Sequence, residues 1–336
     1  MTLTTQKDIE EYIKTAENIG LEPDASYTLK ELTGGTANFV WRLTSNTGKT
    51  SIIKHAESFV RFSPQIKQPT DRMDFEAKIQ EALPLVLDQD DVVQTAPFFG
   101  YDQSAHILHI GDGGAENLKE AYSSDASLDV LEAGKRLGQW LARLHKSTAS
   151  MDIGDAKTAK AVYRFNYNNL ATSLNEYGHD PKLGEQINEE FGSLLATDDK
   201  SICHGDFWPG NVLVRTNPLR LTIVDWEMTR RGNGVTDVGQ FAAESWLLDR
   251  FRGGEGMMGA FLHAYRAGRE VDWPMDDRRR VAVQFGTHIA FWPTRVEWGG
   301  IEETFECVKL GSEILKRARD KDYEWLGESV LTPLFS

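Results

Sequence analysis

The sequence predicts an α+β chain in two lobes, a small β-rich N-terminal lobe carrying one main helix and a larger helical C-terminal lobe. Three observations predict it. Short runs rich in aromatic and β-branched residues, separated by Gly/Asn turns, fill the first third of the chain. A glycine-rich stretch, GDGGAEN, follows them, and beyond it the apolar spacing becomes that of helices.

Taken in order, Gln6 to Ile19 places Ile9, Tyr12, Ile13 and Ala16 at helical spacing, so a short opening helix is expected. YTLKEL, FVWRLTS and TSIIKHA then read as an antiparallel meander turned at GGTAN and NTGK. Asp71 to Leu87 reads as a helix that Pro84 kinks or ends. Two further strands, around QTAPFFGYD and AHILHI, bring the count to five strands and one main helix. The lobe boundary is expected at Gly111 to Asn117, with residues 1–110 on one side and 118–336 on the other. The second lobe opens on LDVLEAGKRLGQWLARLH, where Leu131, Leu137, Trp140, Leu141 and Leu144 make one apolar stripe. Ser147 to Tyr163 is polar and poor in large apolar residues, and is expected to be a mobile excursion.

Composition narrows the function classes. The 336 residues are 40% hydrophobic, as a folded globular chain requires. With 37 basic against 51 acidic residues the formal charge is −14, which argues against nucleic acid or an anionic membrane surface as partner. The N-terminus lacks the apolar core of a signal peptide and no apolar run reaches the roughly 18 residues of a membrane span, so a cytoplasmic protein is expected. Cys203 and Cys307 are too few for a disulfide framework or a zinc site, and Cys203 reads as a small apolar filler within a strand.

A β-rich lobe hinged to a helical one suggests a nucleotide gripped between them. In LTGGTANFVWRL, Gly34 and Gly35 lack Cβ, so a hairpin there can bring backbone N–H groups close to phosphate oxygens. Such a turn alone is more often a plain hairpin. Lys54 lies one strand later in the apolar SIIKHA, where an ammonium is costly unless an anion meets it; otherwise it is a lysine on the outer face of an edge strand. Glu76, on the following helix, is a candidate partner for Lys54, with Asp74 and Glu81 as alternatives. Asn38, beside the glycine pair, and Ile110 and Asp112, at the lobe boundary, join the expected nucleotide-binding set.

The strongest pattern is ICHGDFWPGNVLV followed by LTIVDWE. Asp206 and Asn211 stand five positions apart in one loop between strands, an acid to orient a hydroxyl and accept its proton and an amide to bind magnesium. Asp225 and Glu227 end the next strand with the carboxylate oxygens that magnesium prefers. Each acid alone is an ordinary turn residue or strand cap; the ordered combination is not.

These residues resemble the aminoglycoside phosphotransferase and choline kinase group of small-molecule kinases, which shares the bilobal protein-kinase fold. HGDFWPGN matches its H-G-D-x-x-x-x-N loop and DWE its metal motif. GGTANFVWRL, TSIIKHA, IVDWE, TDVGQF and HIAFWPTRVEWG are similar to two branches of the group, the methylthioribose kinases and, more strongly, fungal 4-hydroxytryptamine kinases, although the paired arginines of the former have no counterpart. The resemblance implies ATP and Mg2+ as cofactors, Asp206 as base, Asn211, Asp225 and Glu227 as magnesium ligands, Lys54 on the phosphates, and His204 and Asp237 as supports. A protein kinase would carry H-R-D, D-F-G and A-P-E instead. A silent kinase-like module would lack the base, the lysine or a ligand. For the acceptor, a small hydroxyl compound bearing a cation, Trp208 is the best candidate contact, with Glu297 and Trp298 further candidates; the plainer alternative puts Trp292 and Trp298 in the core.

Overall fold

The computed structural model describes residues 3–16, 19–22, 25–33, 35–87, 90–114, 116–269 and 273–335. The first lobe begins with helix α1 (Gln6–Ile13), then strands β1 (Tyr27–Leu32), β2 (Phe39–Ser45) and β3 (Thr50–His55). A small hairpin, β4 (Phe59–Val60) and β5 (Ser63–Lys67), leads to helix α2 (Asp71–Val86), then strands β6 (Val93–Thr95), β7 (Phe98–Asp102) and β8 (Ile107–Gly111). Five strands form one antiparallel sheet in the order β1-β2-β3-β8-β7, so β3 is its middle strand and Lys54 is not on an edge.

Alternation along β2 and β3 divides the sheet into two faces. Phe39, Trp41, Leu43 and Ile53 turn inward with Ile9 of α1 and Ile107. Val40, Arg42, Ile52, Lys54 and Ile110 turn to the other face, with Val40 opposite Lys54 and Ile52 opposite Ile110. Met73 and Ala77 of α2 close part of that face against Leu108 and Ile110. Pro84 falls in the last turn of α2, which runs two residues beyond it.

QTAPFFGYD is two strands rather than one, broken at Ala96-Pro97, and the halves go to different sheets. β6 pairs in parallel with β12 (Leu219–Ile223) in a four-stranded sheet, order β6-β12-β11-β9, made otherwise from β9 (Glu116–Asn117) and β11 (Val212–Thr216) of the second lobe. Residues 93–95 therefore lie with the second lobe although they precede the expected boundary. The two passages between lobes are tied where Gly111 N donates to Pro97 O at 2.7 Å. Next to them Gly113 lies so close to the second sheet that a Cβ would stand 2.8 Å from Thr222.

The second lobe continues with helices α3 (Leu118–Ser124), α4 (Val130–Ser147), α5 (Lys157–Tyr163), α6 (Phe165–Glu176) and α7 (Pro181–Ile187). A short ribbon of β10 (Ser201–Cys203) and β13 (Arg230–Gly232) frames the central loops, and α8 (Val235–Arg252), α9 (Met257–Gly268), α10 (Met275–Phe291) and α11 (Ile301–Arg319) complete the body. Cys203 is buried in β10. Two expectations are corrected. Leu131 is 55% exposed while Leu137, Trp140, Leu141 and Leu144 are buried, because a seven-residue step returns to within about 20° on a helix and puts Val130, not Leu131, on the stripe. Residues 147–163 are not a loose excursion: Ile153, Ala156, Ala159 and Tyr163 are buried, and Tyr163 donates to Thr236 O at 3.0 Å. Among the described residues no helix is long and apolar enough to cross a membrane.

Candidate active site

The loop from His204 to Asn211 leaves the buried strand β10 and is held from beneath by one carboxylate. Asp237, at the start of α8, accepts from His204 N at 2.7 Å, Gly205 N at 3.0 Å and His145 Nε2 at 3.2 Å. Burial would raise the Asp237 carboxyl, but His145 and Arg230 hold it below the usual range. Gly205 has φ +87°, and a Cβ there would stand 1.9 Å from Met228 O, so only glycine lets the loop turn. His204 Nε2 donates to Val224 O at 3.0 Å, which leaves Nδ1 to accept Asp206 N at 3.2 Å.

Burial pushes the His204 imidazole down to about 4 from 6.5. Because the unfolded chain takes up this proton first, the contribution of His204 to stability is whole above pH 6.5 and is lost as pH falls toward 4. A histidine NMR titration of the folded protein is expected to keep His204 neutral to about pH 4; a midpoint at the ordinary value of 6.5 would contradict the buried, singly protonated ring.

Asp206 receives Gln240 Nε2 at Oδ1, 2.7 Å, and Asn211 Nδ2 at Oδ2, 3.0 Å. Burial and the charge of Asp225 push its carboxyl up to about 6. Asn211 also donates to Asp206 O at 2.9 Å, so its amide nitrogen is engaged and its oxygen accepts nothing among the described residues.

The second acid segment begins just past β12. Asp225 has φ +67°, a left-handed conformation that an aspartate tolerates better than most residues. This turn aims Asp225 at the sheet of the first lobe, where Lys54 Nζ lies 2.6 Å from Oδ1 and 2.8 Å from both oxygens of Glu76. Glu76 is fixed further by Trp226 N at 3.3 Å, whereas Asp74 is taken by Tyr101 and Glu81 is exposed. Burial alone would lower the Lys54 ammonium, but Asp225, Glu76 and Glu227 hold it well above its usual range. Burial and then Asp225 push Glu227 up to about 8. Asn38 Nδ2 donates to Glu227 at 2.7 Å, and Arg72 sits 3.4 Å from the same oxygen.

These groups border a cleft of about 480 Å³ between the lobes. Of the residues singled out from sequence, Gly35, Asn38, Lys54, Ile110, Asp112, Asn211, Asp225 and Glu227 line it. Glu76 lies behind Lys54, Asp206 stands behind Asn211, and Gly34 lies outside the described residues. Asp112 is already held by Arg42 at 2.6 Å, a contact that joins β2 to the boundary. The sequence reading missed Val40, Ile52, Leu213 and Val224, whose apolar walls suit a flat ring and carry no motif, though the period-two pattern of β2 and β3 contained half of them. It also missed Arg72 and Gln240, buried polar residues that share their helix faces with Glu76 in one case and Asp237 in the other. Trp208 and Trp298 are brought to one cation: Lys119 Nζ lies 5.2 Å and 4.4 Å from their ring centroids. Trp298 is nevertheless 5% exposed, in keeping with a core residue, and Glu297 is exposed with no partner among the described residues.

Two lobes, a lysine–glutamate pair under a glycine-bearing hairpin, and an Asp–Asn loop facing a second acid segment define a protein-kinase-like phosphotransferase. The chain belongs to the phosphotransferase enzyme family, whose profile matches residues 28–281, and is a small-molecule kinase. It is 27% identical to 4-hydroxytryptamine kinase of Psilocybe cyanescens over 95% of this chain and 94% of that one. The choline kinase LicA of Streptococcus pneumoniae has the same fold, with a TM-score of 0.54 at 14% identity over 93% of this chain and 98% of that one. So does wild-type aminoglycoside 2'-phosphotransferase-IIIa, solved as its GDP complex, at a TM-score of 0.51 and 14% identity over 96% and 100%.

Proposed function

We propose that the protein transfers the γ-phosphate of ATP, in a magnesium-dependent reaction, to the hydroxyl of a small amine-bearing alcohol or phenol. The observation that carries this reading is the single network in which Lys54 joins Glu76 and Asp225 while Asn211 joins the same cleft to Asp206. Lys54 meets phosphate oxygens, and Glu76 keeps its ammonium in place. Asp206 aligns the acceptor hydroxyl and takes its proton as the oxygen attacks; its raised carboxyl remains ionised at neutral pH and is a stronger proton acceptor than a free aspartate.

The donor set fits magnesium: Asn211 has a free amide oxygen, and it borders the same cleft as the carboxylates of Asp225 and Glu227, oxygen donors of the kind magnesium takes. Asp225, Glu227 and Asn211 are the residues to hold it. When bound, magnesium neutralises charge on the transferring phosphate.

The names of the relatives support an amine: 4-hydroxytryptamine kinase, choline kinase and aminoglycoside phosphotransferase are each named for a hydroxyl compound that carries nitrogen. ADP release with MgATP and a panel of amines, sugars and peptides tests the proposal. Turnover is expected with amine-bearing alcohols or phenols; turnover confined to neutral or anionic hydroxyl compounds would overturn the acceptor assignment.

A further inference from the structure

We infer that Asn38 and Arg72 of the first lobe latch Glu227 of the second, so that closing the lobes and presenting the cation's second carboxylate are one event; this rests on the magnesium site proposed above. Asn38 lies between the glycine-bearing turn and β2 and is 4% exposed. Both ends of its amide are engaged. Nδ2 donates across the cleft to Glu227 Oε2 at 2.7 Å, while Oδ1 accepts from Arg72 Nε at 3.2 Å and Nη2 at 2.9 Å. A carboxylate held by a fixed donor loses its freedom of rotation, which is how the outer partners of metal ligands orient them. Glu227 Oε1 accepts no hydrogen bond among the described residues, and Glu227 borders the cleft that Asp225 and Asn211 share. The latch thus takes one oxygen and leaves the other for a cation.

Arg72 makes the amide rigid. Its guanidinium also donates to Glu57 O at 3.0 Å, Gln68 O at 3.2 Å and Pro69 O at 2.6 Å, carbonyls of the passages that enter and leave the β4–β5 hairpin. The group is therefore fixed within the first lobe before it meets Glu227, 3.4 Å from Oε2. Among the described residues Glu227 is the one carboxylate that pairs with it. A buried cation separated from its counter-charge is costly, so the first lobe carries a charge that only the second lobe answers.

Residues four apart on a helix share a face, and Arg72 and Glu76 stand so on α2. That face reaches three consecutive residues of the acid segment. Glu76 holds Lys54, which touches Asp225 at 2.6 Å; Glu76 itself accepts from Trp226 N at 3.3 Å; Arg72 and Asn38 take Glu227. Asn38 and Arg72 are thus positioning residues, acting on the cation through Glu227.

Asn38→Leu tests the inference, because leucine keeps the approximate volume and removes the donor to Glu227. The probe is Mn2+, a paramagnetic substitute for magnesium, titrated into the protein–ADP complex and read by electron paramagnetic resonance. Its affinity is expected to fall on the order of 10–100-fold, the scale of a lost outer partner of a metal ligand. Hydrogen exchange should show that Mn2+ and ADP together protect the amides of residues 35–38 less than in the unsubstituted protein. In a Glu227→Gln background the leucine is expected to cost little more, since two residues that act through one contact are not additive. Arg72→Lys, which keeps the charge and loses the fork to Asn38, should show part of the loss; no loss there removes Arg72 from the latch. Unchanged Mn2+ affinity in Asn38→Leu, or losses that simply add in the double variant, overturns the inference. Asn38→Ser, smaller and too short to reach Glu227, serves as a second variant, and failure of both to fold would assign Asn38 to packing and overturn it equally. The underlying reading fails separately: Mn2+ held by the unsubstituted protein–ADP complex no more tightly than by ADP alone, or held as tightly by Glu227→Gln as by the unsubstituted protein, refutes the proposed magnesium site itself.

Discussion

Asp206→Asn is expected to lower turnover on the order of 10²–10⁴-fold while leaving nucleotide KM nearly unchanged, since general-base catalysis operates on that scale. The geometry makes this a clean experiment. An asparagine oxygen can still accept from Gln240 Nε2; the side-chain bond from Asn211 is lost, but Asn211 keeps its bond to the backbone oxygen of residue 206, and the backbone of the loop is set by Asp237 and Gly205. Loss of rate then reports loss of the proton acceptor, not collapse of the loop. Steady-state ADP formation with a saturating acceptor gives the number, and near-normal turnover would remove Asp206 from the mechanism.

Asp225→Asn is expected to cost turnover on the order of 10²–10³-fold, the scale of a lost electrostatic contact to a transferring group, and to abolish the response of nucleotide affinity to magnesium. Among the described residues, Asp225 is the one acid that touches Lys54 from the second lobe, at 2.6 Å, so its charge serves both the ammonium and the proposed cation. Calorimetric titration of ATP with and without magnesium separates these effects. Nucleotide affinity that still rises with magnesium in the variant would exclude Asp225 as a ligand.

The first lobe was legible where side-chain alternation is strong. YTLKEL and FVWRLTS are strands at Tyr27–Leu32 and Phe39–Ser45, because alternate residues turn to one face of a pleated sheet, half-buried in the first and buried in the second. The hairpin at Phe59–Lys67 was not legible: most of it is exposed, and much of its support is remote, from Arg61 donating to Leu32 O and Ala37 O. The attachment of Val93–Thr95 to the other lobe was equally hidden, since three residues contain too little pattern to select a sheet.

Within the cleft, Lys54, Asp206, Asn211 and Asp225 stood out as polar residues among apolar neighbours, a combination that packing alone disfavours. Gln240 carried no such mark. It belongs to a helix buried from Val235 to Leu248, and what distinguishes it is a partner 34 residues away. Spacing along a chain does not encode contacts of that range.

The crossing of Val93–Thr95 into the second sheet bears on how this molecule can move. The backbone joins its halves on both sides of that strand and again after Gly111, and the last two junctions are stitched together by Gly111 and Pro97. A body suspended at adjacent points cannot swivel about a single thread; it can only flex along the line through them, like the jaws of pliers about a pin. Lys54 above and Asp225 below, 2.6 Å apart, sit on the two arms that such a hinge would part.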